Sequence, residues 1–359
     1  MFQSPLRERI AVLDKLHLLT LIKVIVKTDG PGCSLNHLDV SNVRDFKEVF
    51  YRSSFIGDIS EWDMSNATRL DGMFEQSQFN SDISKWTVSN VTSMERVFNR
   101  SQFQGDISKW NTGKVTRMKG LFWAGKFNGD LSRWNVSQVT HMDNMFNRCP
   151  FKTDISKWDV SRVISMQSMF SDGPFDNDIS KWNVANVQDF SYMFASSLFQ
   201  GDISQWNTSN ALNMSAMFAG SAYRSHLSNV SSWDVSKVQD FSDMFRAADG
   251  PRDVSSWKFS HEANMTEFLS DDSLVECDNP SIYHWFVALS EKKPTLLREQ
   301  DREFLAKYGS IFSTLCVTPM EAALMTHRAW QEVHQDATCA MKDDTLPLPE
   351  LDSLSRYRE

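Results

Sequence analysis

Tryptophan recurs at a fixed interval over most of this 359-residue chain. Seven tryptophans from Trp62 to Trp206 lie 24 positions apart, and Trp233 and Trp257 follow after steps of 27 and 24. Stepping back 24 positions from Trp62 reaches Leu38, which marks a weaker first repeat. A constant period of this length is typical of proteins in which each repeat packs on its neighbours. The sequence therefore predicts a solenoid of ten 24-residue repeats over residues 33–269.

Other residue types recur at the same 24-residue interval as tryptophan. In the repeat around Trp86 they are Phe79, Asp82, Ile83 and Phe98, and equivalent residues recur in most other repeats. The consensus reads F-x-x-D-I-S-x-W-[DN]-[VT]-S-x-V-x-x-[MF]-x-x-M-F. So many apolar positions in register indicate that successive repeats share one continuous core.

Each repeat contains two hydrophobic periodicities. The stretch Lys85–Val88 alternates polar and apolar residues, as a short strand with one buried face does. Apolar residues at helical spacing follow at Val91, Met94, Val97 and Phe98, with Ser89, Asn90 and Thr92 as alternative N-caps. We therefore expect an α/β repeat solenoid, leucine-rich-repeat-like, with parallel β-strands on one face and short helices on the other.

The ends of such a stack need caps, because they expose apolar side chains and unpaired backbone groups. Residues 1–32 predict a helical N-terminal cap whose apolar face comprises Leu6, Ile10, Leu13 and Leu16. Residues 270–336 predict a helical C-terminal cap, with helices expected near 282–289, 301–308 and 319–333. Residues 337–359 are polar and are expected to form a flexible tail.

The repeat motif resembles that of a known family. FNSDISKWTVSNVTSMERVF at Phe79–Phe98 and FKTDISKWDVSRVISMQSMF at Phe151–Phe170 resemble the BspA-like leucine-rich repeat surface-protein family of bacteria. The resemblance covers residues 33–269. It implies a leucine-rich-repeat-like β/α solenoid that serves in adhesion or protein–protein contact and has neither enzymatic activity nor defined catalytic residues.

Two polar positions flank each tryptophan, and they are the first candidates for a binding surface. If Trp points into the core, its two neighbours point outward. The position before Trp gives a run of five basic residues, Lys85, Lys109, Arg133, Lys157 and Lys181. The position after Trp includes Asn111, Asn135, Asp159 and Asn183. We expect these residues to contact an acidic or polar protein partner, and the alternative is a solvated charge ladder that keeps the surface soluble.

The three extra residues before Trp233 offer a second candidate contact. They fall in residues 220–227, and Tyr223 is the candidate binding residue there. An insertion that interrupts a regular stack often adds a specific contact. A tolerated insertion without function is the alternative.

Neither a metal site nor a catalytic site is expected. The aspartates that recur from Asp58 to Asp202 suggest calcium, but one Asp per repeat with little glycine is more typical of a turn. His327, Glu332, His334 and Cys339 form the best C-terminal cluster. On a helix the two histidines would lie about 10.5 Å apart along the axis, too far for one metal ion. We therefore expect a protein that is not an enzyme and has no cofactor.

Composition bears on partners and location. The net charge of −9 argues against nucleic-acid binding, which needs a basic surface. Five scattered cysteines indicate free thiols in a reducing compartment. The most apolar stretch, Leu16–Val26, is too short to span a membrane, and it is not a convincing signal peptide. A cytoplasmic location is therefore favoured, although the resembling family is mostly found at the cell surface.

These features together predict a non-enzymatic protein–protein interaction module whose partner is another protein. One alternative is a structural assembly subunit of an envelope or virus-like particle, which would self-associate through its caps. Another is an effector with its activity in residues 270–336.

Overall fold

The computed structural model describes residues 8–221, 230–248, 257–260, 262–266 and 268. All of them lie in a compact unit formed by residues 1–285, while residues 286–359 form a second unit. The predicted C-terminal cap at 270–336 and tail at 337–359 lie outside the described residues, as do Leu6 and Tyr223.

The N-terminal segment contains one strand and one helix. Strand β1 spans Ile10–Ala11 and pairs in parallel with β2, Leu38–Asp39, so that Ile10 lies opposite Leu38. Helix α1 spans Lys15–Asp29. It begins after Asp14, whose carboxylate accepts a 2.8 Å hydrogen bond from the backbone N–H of His17. It ends at Gly30, whose φ of 86° lies in the region that favours glycine.

The N-terminal segment contains a helix, but the predicted apolar face is wrong. The buried side chains of α1 are Leu18, Ile22 and Ile25, a spacing of four and three residues that forms one stripe. By contrast, Leu13 and Leu16 are 73% and 74% exposed. The prediction failed because it extended the helix backward through residues 6–14, whereas residues 10–11 pair as a strand and the helix starts at residue 15.

In the repeats, successive copies are joined by a parallel backbone ladder. One residue per repeat, seven positions after Trp or its equivalent, forms a parallel bridge with its counterpart in the next repeat. These residues are Asp45, Arg69, Ser93, Arg117, His141, Ser165, Asp189, Asn213, Asp240 and Asn264. We call them the bridge column. The column steps by 24 residues except between Asn213 and Asp240, where the step is 27.

The segment after each bridge continues this ladder with alternate residues. The backbone N–H groups of Met94, Arg96, Phe98 and Arg100 donate to carbonyls of the next repeat at 2.7–3.0 Å. Between them, the N–H of Asn99 donates to the carbonyl of Arg96 within the repeat, at 3.2 Å. Alternate donors therefore join this segment to the next repeat, and N–H groups between them, such as that of Asn99, close turns.

This bonding pattern explains why the helix expected over residues 91–98 is absent. The described residues 95–100 form turns, because their alternate N–H groups point to the next repeat instead of four residues back along the chain. The turns need a left-handed backbone at Arg96 and Arg100, with φ of 56° and 51°. Each such residue costs roughly 1–2 kcal/mol. The hydrogen bonds to the next repeat, each worth about 1 kcal/mol net, offset that cost.

The strand expected at Lys85–Val88 is also wrong, although its pattern of burial is right. Lys85 and Thr87 are exposed, and Trp86 and Val88 are buried, as the alternation predicts. The backbone turns on both sides, because Trp86 N–H donates to Ile83 at 3.2 Å and Val91 N–H donates to Val88 at 3.0 Å. No helix begins at the predicted N-caps Ser89, Asn90 or Thr92. The Asn90 amide instead donates to a carbonyl of the preceding repeat at 2.8 Å.

Aromatic rings fill the space between these backbone segments. Trp86 lies between Trp62 and Trp110, with ring centroids 6.4 and 6.2 Å away and interplanar angles of 5° and 6°. Phe rings stack in the same way, as Phe74 does on Phe98 at 5.7 Å. Every described tryptophan of the 24-residue series is buried. The phenylalanine rings of this position therefore stack without a gap from repeat to repeat, and the tryptophan rings stack over parts of their series.

Replacing Trp134 by alanine tests the contribution of these stacked rings. The ring is 3% exposed and its removal leaves a cavity beside the stacked ring of Trp110. We expect Trp134→Ala to lower the free energy of unfolding by about 3–5 kcal/mol, measured by urea denaturation. Arg133→Ala, at the exposed adjacent position, is the matched control and should change it by no more than about 0.5 kcal/mol. A loss below about 1 kcal/mol for Trp134→Ala would contradict the packing described here.

Candidate functional site

The candidate residues beside the tryptophans are all exposed where they are described. They comprise Lys85, Lys109, Arg133, Lys157, Lys181, Asn111, Asn135, Asp159 and Asn183. We call this set the candidate strip. Each member is adjacent in sequence to a buried tryptophan of the 24-residue series, which we call the tryptophan row, and the rings of this row that stack have centroids 6.2–6.5 Å apart. The tryptophans therefore bring equivalent side chains of successive repeats to the same face of the surface. The other candidate binding residue, Tyr223, lies outside the described residues.

The basic residues of the candidate strip do not stand alone electrostatically. An aspartate precedes each of them by three positions: Asp82, Asp106, Asp130, Asp154 and Asp178. Lys109 lies close enough to Asp106 to help lower the pKa of that carboxyl. Among the described residues, no ion pair within 4.0 Å joins the two columns. The surface thus alternates positive and negative charge and is not uniformly basic.

Each recurring aspartate from Asp58 to Asp202 has a structural role in its repeat. Asp106 accepts a 2.9 Å hydrogen bond from the backbone N–H of Ser108, two residues later. This bond is the main cause that holds the pKa of Asp106 below its usual value, followed by a bond from the Ser108 hydroxyl. Within the described residues, no three His, Cys, Asp or Glu side chains lie together as metal ligands. These bonds support the interpretation of the aspartates as turn residues, which the sequence favoured over calcium binding.

The residues of the candidate strip that follow tryptophan close turns in the same way. The side-chain oxygens of Asn111, Asn135, Asp159 and Asn183 accept bonds of 3.0–3.2 Å from backbone N–H groups two residues later. Each oxygen still has a free lone pair, and each asparagine keeps its amide hydrogens. These four residues are therefore held in fixed orientations but remain able to bind a partner.

Cys149 is not a candidate nucleophile. It is buried, and its thiol donates to the carbonyl of Phe127 at 3.1 Å. Burial raises the pKa of this thiol to about 12, so the reactive thiolate is not formed near neutral pH. Like Cys149, Cys33 carries a thiol that is not part of a disulfide.

Sequence reasoning missed the surface around the bridge column. It assigned the strand to the segment that holds Trp, whereas the parallel bridges lie seven residues later. A signal for this placement exists in the sequence, since threonine recurs just before the bridge at Thr68, Thr92, Thr116 and Thr140. Each of the last three donates its hydroxyl to the carbonyl of the preceding threonine at 3.2 Å. The residues that vary along this column are Arg69, Ser93, Arg117 and His141.

A second feature was missed because it departs from the repeat. Trp123 lies outside the 24-residue series and lines a surface groove with residues of neighbouring repeats. The signal in the sequence is a tryptophan that does not fit the 24-residue spacing.

The aspartate turns predict a pH dependence of stability. Asp130 has a lowered pKa, chiefly because it accepts bonds from the backbone N–H and then the hydroxyl of Ser132. Its stabilising effect is therefore complete above the ordinary carboxyl pKa of 3.8 and is lost as pH falls through the lowered value. We expect Asp130→Ala to destabilise the chain at pH 7, and the difference from the unmodified chain to shrink as pH falls below about 4.

Chemical denaturation of both chains between pH 7 and 2.5 measures this difference. Asp130→Asn keeps an oxygen that can accept the Ser132 bond and serves as the matched control; it should destabilise less than alanine. A destabilisation by Asp130→Ala that is equal at pH 7 and 2.5 would show that the carboxylate charge does not contribute.

In the part of the chain that the structure describes, no helix has the length and apolarity to cross a bilayer. Comparison with curated proteins and with solved structures finds no match. One family does match the chain, over four overlapping stretches at residues 27–125, 99–200, 123–225 and 174–282. Its description is "Mycoplasma protein of unknown function, DUF285".

The matched stretches coincide with the repeats and span more than two thirds of the chain. Overlapping matches of one family displaced along a chain are expected when the family unit is itself a tandem repeat. The chain therefore belongs to the DUF285 family of repeat proteins.

Proposed function

We propose that this protein is a non-enzymatic protein–protein interaction module, acting in binding or adhesion. Its repeats would form a leucine-rich-repeat-like solenoid of the BspA-like kind. The observation that carries the proposal is the candidate strip, in which exposed polar side chains recur over five successive repeats beside buried tryptophans.

Fixed spacing is what makes such a surface suitable for binding. Each Trp indole N–H donates to a carbonyl of the preceding repeat, as Trp134 does to Ile107 at 3.0 Å. The neighbouring residues Arg133 and Asn135 therefore sit on a backbone that cannot shift independently. A surface that is already ordered loses less conformational entropy when a partner binds.

The charges of the strip indicate the chemistry of the partner. Basic residues such as Lys109 and Arg133 can pair with carboxylates, and the adjacent Asp106 and Asp130 can accept hydrogen bonds. Both signs are present, so the surface suits a protein with a mixed polar face. A nucleic-acid backbone, which is uniformly negative, would meet the aspartates.

A second candidate function, a structural assembly subunit, is favoured by one specific observation. Leu13, Leu16 and Val24 are exposed near the N-terminal end of the repeats, where the sequence suggested self-association through the caps. Exposed apolar side chains of this kind often mark contacts between proteins. Light scattering distinguishes the two functions, because assembly would give a mass that rises with protein concentration.

The third possibility, an effector activity in residues 270–336, falls outside the described residues.

Charge reversal of the strip tests the main proposal. We expect the triple variant Lys109→Glu, Arg133→Glu, Lys157→Glu to lose a protein partner that the unmodified chain captures from cell extract. The measurement is affinity capture followed by mass spectrometry, with quantitative binding to the partner so identified. All three positions are exposed, so stability should change by about 0.5 kcal/mol or less for each substitution.

A matched control reverses the same number of charges on other exposed positions. Lys114→Glu, Lys126→Glu, Lys152→Glu serves this purpose, because these lysines are exposed and lie outside the strip. The control should retain the partner. Equal capture by the unmodified chain, the strip variant and the control would eliminate the strip as the contact surface.

A further inference from the structure

Trp123 occupies a position at which neighbouring repeats carry small or polar side chains. The equivalent residues one repeat away are Asn99 and Asn147. Trp123 is partly exposed, whereas the tryptophans of the 24-residue series are buried. Its ring forms a wall of a groove of about 220 Å³, to which several repeats contribute. The groove is lined by Glu75, Arg96, Asn99, Arg100, Lys119, Gly120, Trp123 and Asn144. We call it the Trp123 groove.

Three cationic side chains converge on the groove. They are Arg96, Arg100 and Lys119, and Glu75 is the single carboxylate, so the lining carries a formal charge of 3 − 1 = +2. Among the described residues, neither Arg96 nor Lys119 forms an ion pair within 4.0 Å. The groove therefore holds positive charge that the described part of the chain does not neutralise.

Nearby arginines outside the groove behave differently. Arg117 pairs with Glu95 at 3.0 Å, and Arg148 pairs with Asp172 at 3.3 Å. Positive charge on this part of the chain is thus neutralised at the flanking positions and left available in the groove.

The side chains, not the backbone, would recognise an anion here. The left-handed backbone at Arg96 and Arg100 is of the kind that forms anion-binding nests. Their N–H groups are already used, since they donate to the carbonyls of Lys119 and Trp123 at 2.9 and 2.7 Å. The Arg100 guanidinium lies 5.4 Å from the centre of the Trp123 ring, a cation–π contact that orients it.

A buried amide adds a further polar feature to the groove. Asn99 is 3% exposed, and its amide nitrogen donates to Glu75 at 3.2 Å, which fixes both side chains. The Asn99 side-chain oxygen has no hydrogen-bond partner among the described residues. Buried polar atoms of this kind are rare in folded proteins, and binding of a peptide segment whose backbone N–H donates to this oxygen is one explanation for it. Burial raises the pKa of Glu75, while Arg96 opposes that rise.

We propose that the Trp123 groove binds an acidic side chain of a protein partner, with an apolar residue next to that side chain packing on Trp123. This inference rests on the proposed function, because the occupant belongs to a protein. Arg96, Arg100 and Lys119 can pair with a carboxylate, and the Trp123 ring offers an apolar surface to the residue beside that carboxylate, which a free phosphate ion lacks. The groove is smaller than the roughly 300–1,000 Å³ of typical small-molecule pockets, so one or two residues fill it.

Blocked dipeptides test the proposal directly on the full chain. The probe is N-acetyl-aspartyl-phenylalaninamide, and the matched probe without charge is N-acetyl-asparaginyl-phenylalaninamide. The signal is the indole N–H resonance of Trp123 in a nitrogen-15 spectrum, identified by its loss in Trp123→Phe. We expect saturable shifts with the aspartyl probe and affinity about tenfold lower or worse with the asparaginyl probe.

Two further arms decide the chemistry and the residues. Inorganic phosphate should bind more weakly than the aspartyl probe, and Arg96→Gln or Lys119→Gln should each weaken the aspartyl probe about tenfold. Lys126→Gln, an exposed lysine outside the groove, should leave the affinity unchanged. The indole resonances of the buried tryptophans report whether each variant is folded.

Each outcome of these titrations either supports or overturns the proposal. Equal binding of the two dipeptides, tighter binding of phosphate, or no saturable shift of the Trp123 resonance would each overturn the proposal. The strip variant Lys109→Glu, Arg133→Glu, Lys157→Glu should bind the aspartyl probe normally. A failure in the groove therefore leaves the strip test unaffected, and the reverse also holds.

Discussion

A single hydrogen bond, repeated along the chain, sets the spacing on which the other features depend. The indole N–H of a buried tryptophan needs an acceptor, because an unsatisfied buried donor is costly. Here the acceptor is the carbonyl of an aliphatic residue in the preceding repeat, as in Trp86 to Ile59 at 3.0 Å and Trp158 to Leu131 at 3.1 Å. Both bonds span 27 residues. Each ring is thereby fixed against the preceding repeat by this bond, and rings such as that of Trp86 also stack on both neighbouring tryptophans.

The irregular step in the repeat shows how strict this requirement is. Trp233 follows Trp206 by 27 residues, yet the two centroids are 6.5 Å apart, nearly the usual spacing. The Trp233 indole N–H still donates to the equivalent carbonyl, that of Ile203, now 30 residues away. The extra residues are therefore accommodated without disturbing the row. Function can vary in such segments and in exposed columns, because neither contributes to the bond that keeps the repeats in register.

The sequence predicted those aspects of the fold that depend on side-chain burial. The period, the inward tryptophans and the exposed Lys85 and Thr87 follow from alternation and spacing. The backbone conformation was not predictable in the same way. Arg96 and Arg100 adopt a left-handed backbone without the glycine that usually signals it, so apolar residues at turn spacing resembled a helix. Hydrogen bonds to the next repeat impose this geometry, and no local pattern records them.

The candidate sites differ for a similar reason. The basic residues of the strip recur at every step and are therefore visible in the sequence, although the balancing effect of the aspartates becomes clear only in three dimensions. The Trp123 groove is built from residues at positions whose identity varies between repeats, and its members come from positions 75 to 144. The sequence does not show that Trp123 belongs to a site, because Arg96 and Lys119 are brought beside it only by the fold.

Hydrogen exchange of the indole N–H groups tests the central claim most directly. If the tryptophans form one row joined by these bonds, the indole protons from Trp62 to Trp206 should exchange slowly and at similar rates. The indole proton of Trp123, which is partly exposed and outside the row, should exchange much faster and provides an internal reference. Rapid exchange at Trp86, Trp110 and Trp134, comparable with that of Trp123, would contradict the account.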